Sequence, residues 1–549
     1  MRAEIHLDRR RVAMKKGDGG IHRAVVDGLR HGDRYRVALD GDGPFPDPWS
    51  RWQPDGVHGA SALVAPVTGL AHRPVPRRRA QASYEMHVGT FTPEGDYEHA
   101  AADLRRLRGL GLDTLQLMPV AEFPGRWNWG YDGAYFHAPT RAYGTPEELR
   151  RFVARAHRAG LSVVLDVVYN HLGPDGAYIF RYAPEFFTDR HRTPWGGAID
   201  YTRREVRRTV TDAARWWIQQ YGFDGLRLDA THAIFDRSED HILAAIGRAA
   251  RRGYRRAYVA AEDHRNEARL VLVDRLDSIL ADDFHHAVRV SLTGQKDHYF
   301  ADYLGSPEEI AKAIQDGWIH EGDRTSSAGP GSSTAGLPAE AFVFCIENHD
   351  QVGNRADALH LAALVEPGQF RAASALLLLA PERAMLFQGQ EFGSRGHFYF
   401  FTDHEPELGR AVTAGRRREF AVFREYREHP ERIADPQAEE TFGRSKLDRG
   451  ELAAGRPATL LYRELLRLRL ADPVLRRPDR EGTRAWAEGQ VVYVERRAGR
   501  GRRLLAATLK GDPKASPPRG RVLLHTEERR FGGTGRATLE RPGAILVES

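Results

Sequence analysis

Residues 225–233 read GLRLDATHA. Leu226 and Leu228 alternate with Arg227 and Asp229, so the stretch starts as an apolar strand and ends in charge. The same gradient recurs in SYEMHVGTF (83–91), TLQLMPV (114–120), SVVLDVVYNH (162–171), AYVAAEDH (257–264), SILADDFHH (278–286), FVFCIENHD (342–350) and AMLFQGQEF (384–392). Amphipathic helices lie between these runs. DLRRLRGLG (103–111) spaces Leu104, Leu107 and Leu110 along one helix face and stops at Gly111, and PEELRRFVARAHRAG (146–160) stops at Gly160. Strands alternating with helices are what parallel βα units produce. Eight strands, apolar inside and polar at their ends, predict a closed (β/α)8 barrel whose C-terminal strand ends form the active-site face. An open doubly wound sheet would carry a Gly-rich phosphate turn after its first strand, and none is present.

The flanks read differently. In residues 1–82 Ala3, Ile5 and Leu7 alternate, as do Tyr35, Val37 and Leu39, and Asp40-Gly41-Asp42-Gly43 supplies turn chemistry, so a small β-sandwich-like domain is expected. AHRPVPRRRAQA (71–82) has Pro and charge without periodicity and is expected to be a linker. The barrel is expected over 83–457, with a short insertion at 172–200 rich in aromatics, Pro and Gly. Over 458–549 the runs VVYVERRA, RLLAATLK, RVLLHTEE and AILVES predict a C-terminal β-sandwich. The fold class is therefore α/β, a TIM barrel between two β domains.

Composition removes other classes. The chain has 549 residues, 41% hydrophobic and 28% charged, which excludes disorder and fibrous repeats. No apolar window approaches a membrane span, and the opening MRAEIHLDRR has no signal-like apolar region, so a cytoplasmic protein without a membrane partner is expected. A net charge of +6 invites a nucleic-acid reading, but Arg is interleaved with Glu and Asp along helices such as GRAVTAGRRREFAVFREYREH, and no nucleic-acid partner is expected. The one cysteine, Cys345, lies in the apolar run AFVFCI and reads as a buried, inert thiol.

Strand ends carry the chemistry: Asp166, Asn170 and His171 on the third, Arg227 and Asp229 on the fourth, Glu262 on the fifth, His349 and Asp350 on the seventh. In a barrel these converge on one bowl. Two carboxylates flanking one bond are what retaining glycoside hydrolysis needs, one attacking the anomeric carbon and one protonating the leaving oxygen. Arg227, two residues before Asp229, is expected to hold it ionised as the nucleophile. Glu262 has no cation two residues away, so it is expected to stay protonated as the acid, with Asp350 gripping sugar hydroxyls and His171 donating to them. Phe123, Trp127, Trp129 and Tyr131 crowd the loop after the second strand, where such rings either stack on sugars or pack as core, and Asp132 is placed to orient Tyr131 or a hydroxyl.

DVVYNH, GLRLDATHA, AAED and ENHD, in this order, resemble the four signature regions of glycoside hydrolase family thirteen, the α-amylase superfamily. The resemblance implies Asp229 as nucleophile, Glu262 as acid/base and Asp350 as transition-state stabiliser. It also implies His171, Arg227 and His349 lining the sugar subsite, with Tyr131 stacking under that sugar. Further segments, PDPWSRWQPDGVHG, YEMHVGTFTPEG, MPVAEFPGRWNWGYDG, VYNHLGPDG, ADDFHHAVRVSLTG, NHDQVGNRA, FFTDHEPELGRAV and TFGRSKLD, run from about residue 46 to 450. They are similar to the subgroup that cleaves the α-1,4 bond beside the terminal trehalose of maltooligosyl trehalose. Three departures stand out: an N-terminal domain shorter than the subgroup's, Glu347 in place of a common Gln, and Gln390 in place of a common Glu. The resemblance implies maltooligosyl trehalose and trehalose as ligands, and coupling to a maltooligosyltrehalose synthase. Phe400, Asp403, His404 and Glu405, on the loop after the eighth strand, are expected to recognise the trehalose unit, with Trp127 and Trp129 as the next candidates.

The alternatives are a branching or debranching enzyme on α-1,6-linked glucan, and a noncatalytic glucan-binding protein. Binding alone does not require an acid, a nucleophile and a stabiliser together. No cofactor and no metal are expected; Asn170 is one amide without the carboxylate cluster that calcium takes.

Overall fold

The computed structural model describes residues 2–76, 82–193, 196–326, 329–422 and 424–548. Part of the expected linker, 77–81, and two positions of the expected insertion, 194 and 195, lie outside the described residues. Eight parallel strands close a barrel in chain order: β1 (Ala82–Met86), β2 (Thr114–Leu117), β3 (Ser162–Val167), β4 (Gly225–Leu228), β5 (Tyr258–Glu262), β6 (Ser278–Leu280), β7 (Phe342–Phe344) and β8 (Arg383–Phe387). Six fall wholly within the runs quoted above, and β1 and β8 each begin one residue earlier, at Ala82 and Arg383. They are buried nearly throughout because helices cover the outside of the barrel, which is why they read as almost uninterrupted apolar sequence.

The covering helices begin and stop where local chemistry directs. α1 (Leu104–Leu110) buries its three leucines and ends at Gly111, whose φ of 119° suits glycine. α2 (Pro146–Ala159) starts from a capping box between Thr145 and Glu148 and ends at the left-handed Gly160. The others that matter below are α3 (Arg204–Tyr221), α4 (Ile242–Gly253), α5 (Asp282–Thr293), α6 (Pro307–Asp316), α7 (Pro367–Leu379), α8 (Pro406–Phe420) and α9 (Arg456–Ala471). None is long and apolar enough to cross a membrane.

In place of the expected sandwich-like domain, five N-terminal strands form one antiparallel sheet and Lys15–Lys16 pairs separately with His22–Arg23; the sheet turns at Asp40-Gly41 with φ of 50° and 86°, the left-handed pair a tight hairpin needs. The described residues of 172–200 hold a short helix and two antiparallel strands, Phe187–Thr193 against Gly196–Ile199. Its Tyr182 hydroxyl donates to Val37 O at 3.0 Å, tying it to the N-terminal sheet.

At the other end the structure departs from the expected sandwich. Residues 456–471 are helical, and α9 packs on the barrel, where Tyr462 meets Ser374 of α7 at 2.7 Å. Strands β9 (Thr483–Glu488), β10 (Val491–Ala498), β11 (Gly501–Thr508), β12 (Arg521–His525) and β13 (Gly543–Glu548) then form a single antiparallel sheet. Its inner face, with Val492, Val494, Leu505 and Ala507, packs on α6 and α7, so helices supply the layer expected of a second sheet. On the outer face, Leu539 and Ala515 from the connections cover Val491, Ala506 and Ile545.

Candidate active site

β4 delivers Arg227 into the barrel with no solvent exposure. A buried guanidinium needs anionic partners, and three strand ends supply them. Nη1 lies 2.6 Å from Asp166 Oδ2 and 3.1 Å from Asp229 Oδ1, while Nη2 lies 2.9 Å from Glu262 Oε2. Register explains the set, since Asp166 pairs with Arg227 across β3 and β4, and Arg227 pairs with Ala260 across β4 and β5. Glu262 has no cation two residues along its own strand, but Arg227 reaches it from the neighbouring strand, which spacing along one strand does not reveal. Asp229 and Glu262 therefore face each other within the span of one guanidinium.

Their hydrogen bonds differ. Asp229 Oδ1 accepts from Arg227 and Oδ2 from Asn170 Nδ2 at 2.7 Å. Glu262 Oε2 accepts from the Ala230 amide at 2.9 Å and meets Arg227 Nη2 only as an ion pair, and Oε1 has no partner among the described residues. Ala230 reaches it only by adopting φ of 40°, in the left-handed region. Burial first, then the adjacent Glu262, pushes the Asp229 carboxyl up, against Arg227 and Asn170. The expected simple depression of Asp229 by Arg227 is therefore not what the site produces.

Across the bowl, His349 donates its backbone N–H to Glu85 Oε2 at 3.0 Å, and its Nδ1 lies 3.0 Å from Glu85 Oε1. His349 Nε2 is 3.3 Å from Asp350 Oδ2 and 2.8 Å from the Tyr131 hydroxyl. Although desolvation opposes it, the two carboxylates raise the His349 imidazole well above its ordinary range. Against its own burial, that imidazolium holds the Asp350 carboxyl down at about 2. Tyr131 lies against His349 with ring centroids 5.2 Å apart and donates to Asp166 Oδ2 at 2.8 Å. His171, pushed down to about 4 by burial, sits 2.9 Å from the Tyr131 carbonyl, and Asp132 accepts from Asn128 at 2.7 Å. Tyr131, His171, Arg227, Asp229, Glu262, His349 and Asp350 are thus brought together.

The remaining expected residues are not. Trp127 and Trp129 are buried, their indole N–H groups donate to Thr402 O and Tyr399 O, and their rings stack on Phe442 and Phe398. They are core and present no face to a sugar. Asp403 accepts from the Arg126 amide at 2.8 Å, and Glu405 caps α8. His404 stands 3.6 Å from Asp132, and Phe400 packs edge-on to Trp129 with Arg416 above it. This loop braces the Tyr131 side of the bowl.

Residues 45–192 match the alpha-amylase catalytic domain family. Over 536 residues the chain is 45% identical to the malto-oligosyltrehalose trehalohydrolase of Deinococcus radiodurans, covering 93% of this chain and 87% of that one. It is 38% identical to the enzyme of the same name from Saccharolobus solfataricus, over 80% of this chain and 78% of that one.

The chain belongs to the malto-oligosyltrehalose trehalohydrolase family.

A crystal structure assigned to an alpha amylase of Salmonella typhimurium superposes with a TM-score of 0.90 at 33% identity, covering 100% of this chain and 96% of that one. The two substituted positions noted in this trehalohydrolase-family sequence are structural. Glu347 Oε2 accepts from the Leu361 amide at 2.8 Å. Gln390 accepts from the Phe387 amide at 3.1 Å while donating to Tyr462 at 3.0 Å, a donation that a carboxylate cannot make. Two site residues escaped the sequence argument. Glu85 acts through His349 and carries no signal of its own in one sequence. Asp282 lies in SILADDFHH, where the polar ending was visible but its facing was not.

Proposed function

We propose that this chain is a retaining glycoside hydrolase that cleaves the α-1,4 bond next to the terminal trehalose of maltooligosyl trehalose and releases trehalose. The observation that carries the chemistry is the Arg227 guanidinium holding Asp229 and Glu262 at 3.1 and 2.9 Å on one side of the bowl. Carboxyls so close leave no room for a water between nucleophile and sugar on the first step, which favours the covalent, retaining route. Two carboxyls this close share one proton; when it rests on Glu262 Oε1, an Asp229 oxygen attacks the anomeric carbon as the glycosidic C–O bond breaks, and that proton passes to the leaving oxygen. Water then attacks the glycosyl ester, Glu262 takes back a proton, and Asp229 is freed. Asp350, kept ionised by His349, holds hydroxyls of the distorted sugar and lowers the barrier most where positive charge develops. Family membership supports trehalose as the departing unit.

The test is product analysis with kcat/KM on a trehalose-capped maltooligosaccharide and on the linear chain of equal length. Free trehalose and a strong preference for the capped substrate are expected. Equal efficiency on both would replace this reading with a general amylase.

A further inference from the structure

Asp282 opens α5 directly after β6. In the β5–β6 register Leu280 stands opposite Glu262, and the Ala281 amide donates to Val343 O of β7 at 3.0 Å. Leu280 packs inside the barrel with Val343, Cys345 and Met385. Two residues on, strand alternation points Asp282 into the same interior, one layer nearer the mouth. It therefore stands between the strand ends that carry Glu262 and Asp350, partly open to the bowl, with no hydrogen-bond or ion-pair partner among the described residues.

The surroundings decide its state. Glu85, Asp166, Asp229, Glu262, Asp282 and Asp350 gather around two cations, Arg227 and His349. Carboxyls crowded in this way do not all ionise. Burial first, then Glu262, Asp350 and Asp283, pushes Asp282 up to about 8, with Arg227 opposing. Tyr299, Tyr303 and Cys345 also face it, each held neutral above its ordinary range by burial.

We propose that Asp282 is a substrate-binding residue on the leaving side of the cleavage point, where it holds a hydroxyl of the departing disaccharide. The direction follows from the roles of its neighbours and rests on the trehalohydrolase reading above. Glu262 protonates the leaving oxygen, so the departing sugar lies on its side, away from Tyr131, His171 and His349. A polar group left unpaired there favours a ligand that pairs it and penalises one that does not. In neutral solution the carboxyl donates its O–H. Above about pH 8 it would add a negative charge between Glu262 and Asp350 and lose that donation.

Trehalose binding by calorimetry and kcat/KM for trehalose release from trehalose-capped maltotriose, both measured from pH 6 to 9.5, test this on the full chain. At pH 6 Asp282→Ala should lose about 10- to 100-fold in both quantities. Asp282→Asn keeps a donor of the same shape, so it should stay within a fewfold of wild type and lack the weakening that wild type shows above pH 8. Unchanged trehalose affinity in Asp282→Ala would overturn the proposal, as would an alkaline weakening that persists in Asp282→Asn. A wild type that neither binds nor releases trehalose would instead overturn the trehalohydrolase reading itself.

Discussion

Arg227 touches Glu262: Nη2 lies 2.9 Å from Oε2. One buried cation thus serves the attacking carboxyl, the acid and Asp166 together, and its planar fork is what makes the triple contact possible.

Arg227→Lys should therefore fail although the charge is kept. An ammonium is a point donor and leaves at least one of the three carboxyls without its cation. Turnover should fall more than about 100-fold, and urea denaturation should show a loss of about 3 to 5 kcal/mol, the usual cost of breaking a buried pair. Activity within fivefold of wild type would mean that the shared fork is not required.

Asp229→Asn and Glu262→Gln should each lower turnover by more than about 100-fold while circular dichroism shows an unchanged fold. Proton NMR of the earliest product should show the α-anomer at the cleaved carbon. An initial excess of the β-anomer would remove Asp229 as nucleophile.

Asp403→Ala and Glu405→Ala separate bracing from recognition. Asp403 binds the Arg126 amide and Glu405 caps α8, so both variants should melt at a lower temperature. The ratio of kcat/KM for capped over linear substrate should stay put. A collapse of that ratio in either variant would return trehalose recognition to this loop.

Glu382 precedes β8 at the closed end of the barrel, buried to 1% exposure, and no other described residue hydrogen-bonds its carboxyl. Burial pushes it from an ordinary 4.5 up to about 8, with Arg496, Arg480 and Arg469 pulling the other way. A raised carboxyl favours folding below the unfolded value and loses that contribution as pH climbs to the folded one. Between pH 4.5 and 8 the wild type should lose stability through this group, and Glu382→Gln should not. The melting temperature of Glu382→Gln relative to wild type should thus rise from pH 5 to pH 8.5; a constant difference would show that Glu382 is ionised throughout.

The barrel was legible because a buried strand with a polar end has few other readings, and each of the eight runs overlaps its strand, two of them missing only the first residue. The C-terminal layer was not, since α6 and α7 lie more than 100 residues before the strands they cover, and only tertiary packing brings them there. The site divides in the same way. Arg227 beside Asp229 follows from the period of two, whereas Arg227 beside Glu262 needs the register of β4 on β5. Trp127 and Trp129 misled because an aromatic cluster has one composition whether it lines a cleft or fills a core. Their burial of 4% and 2% exposure settles it for the core.

Ala230 holds the left-handed backbone that aims its amide at Glu262. An alanine there gives up roughly 1 kcal/mol relative to an ordinary conformation, and its methyl group touches none of the chemistry. Scanning mutagenesis that trims side chains would pass over this position, because the working group is an N–H that every residue except proline carries. Glycine would adopt the turn more easily and hold it more loosely. What residue 230 contributes is then the stiffness of a bend, a property recorded in the sequence only as a small, unremarkable letter next to the nucleophile.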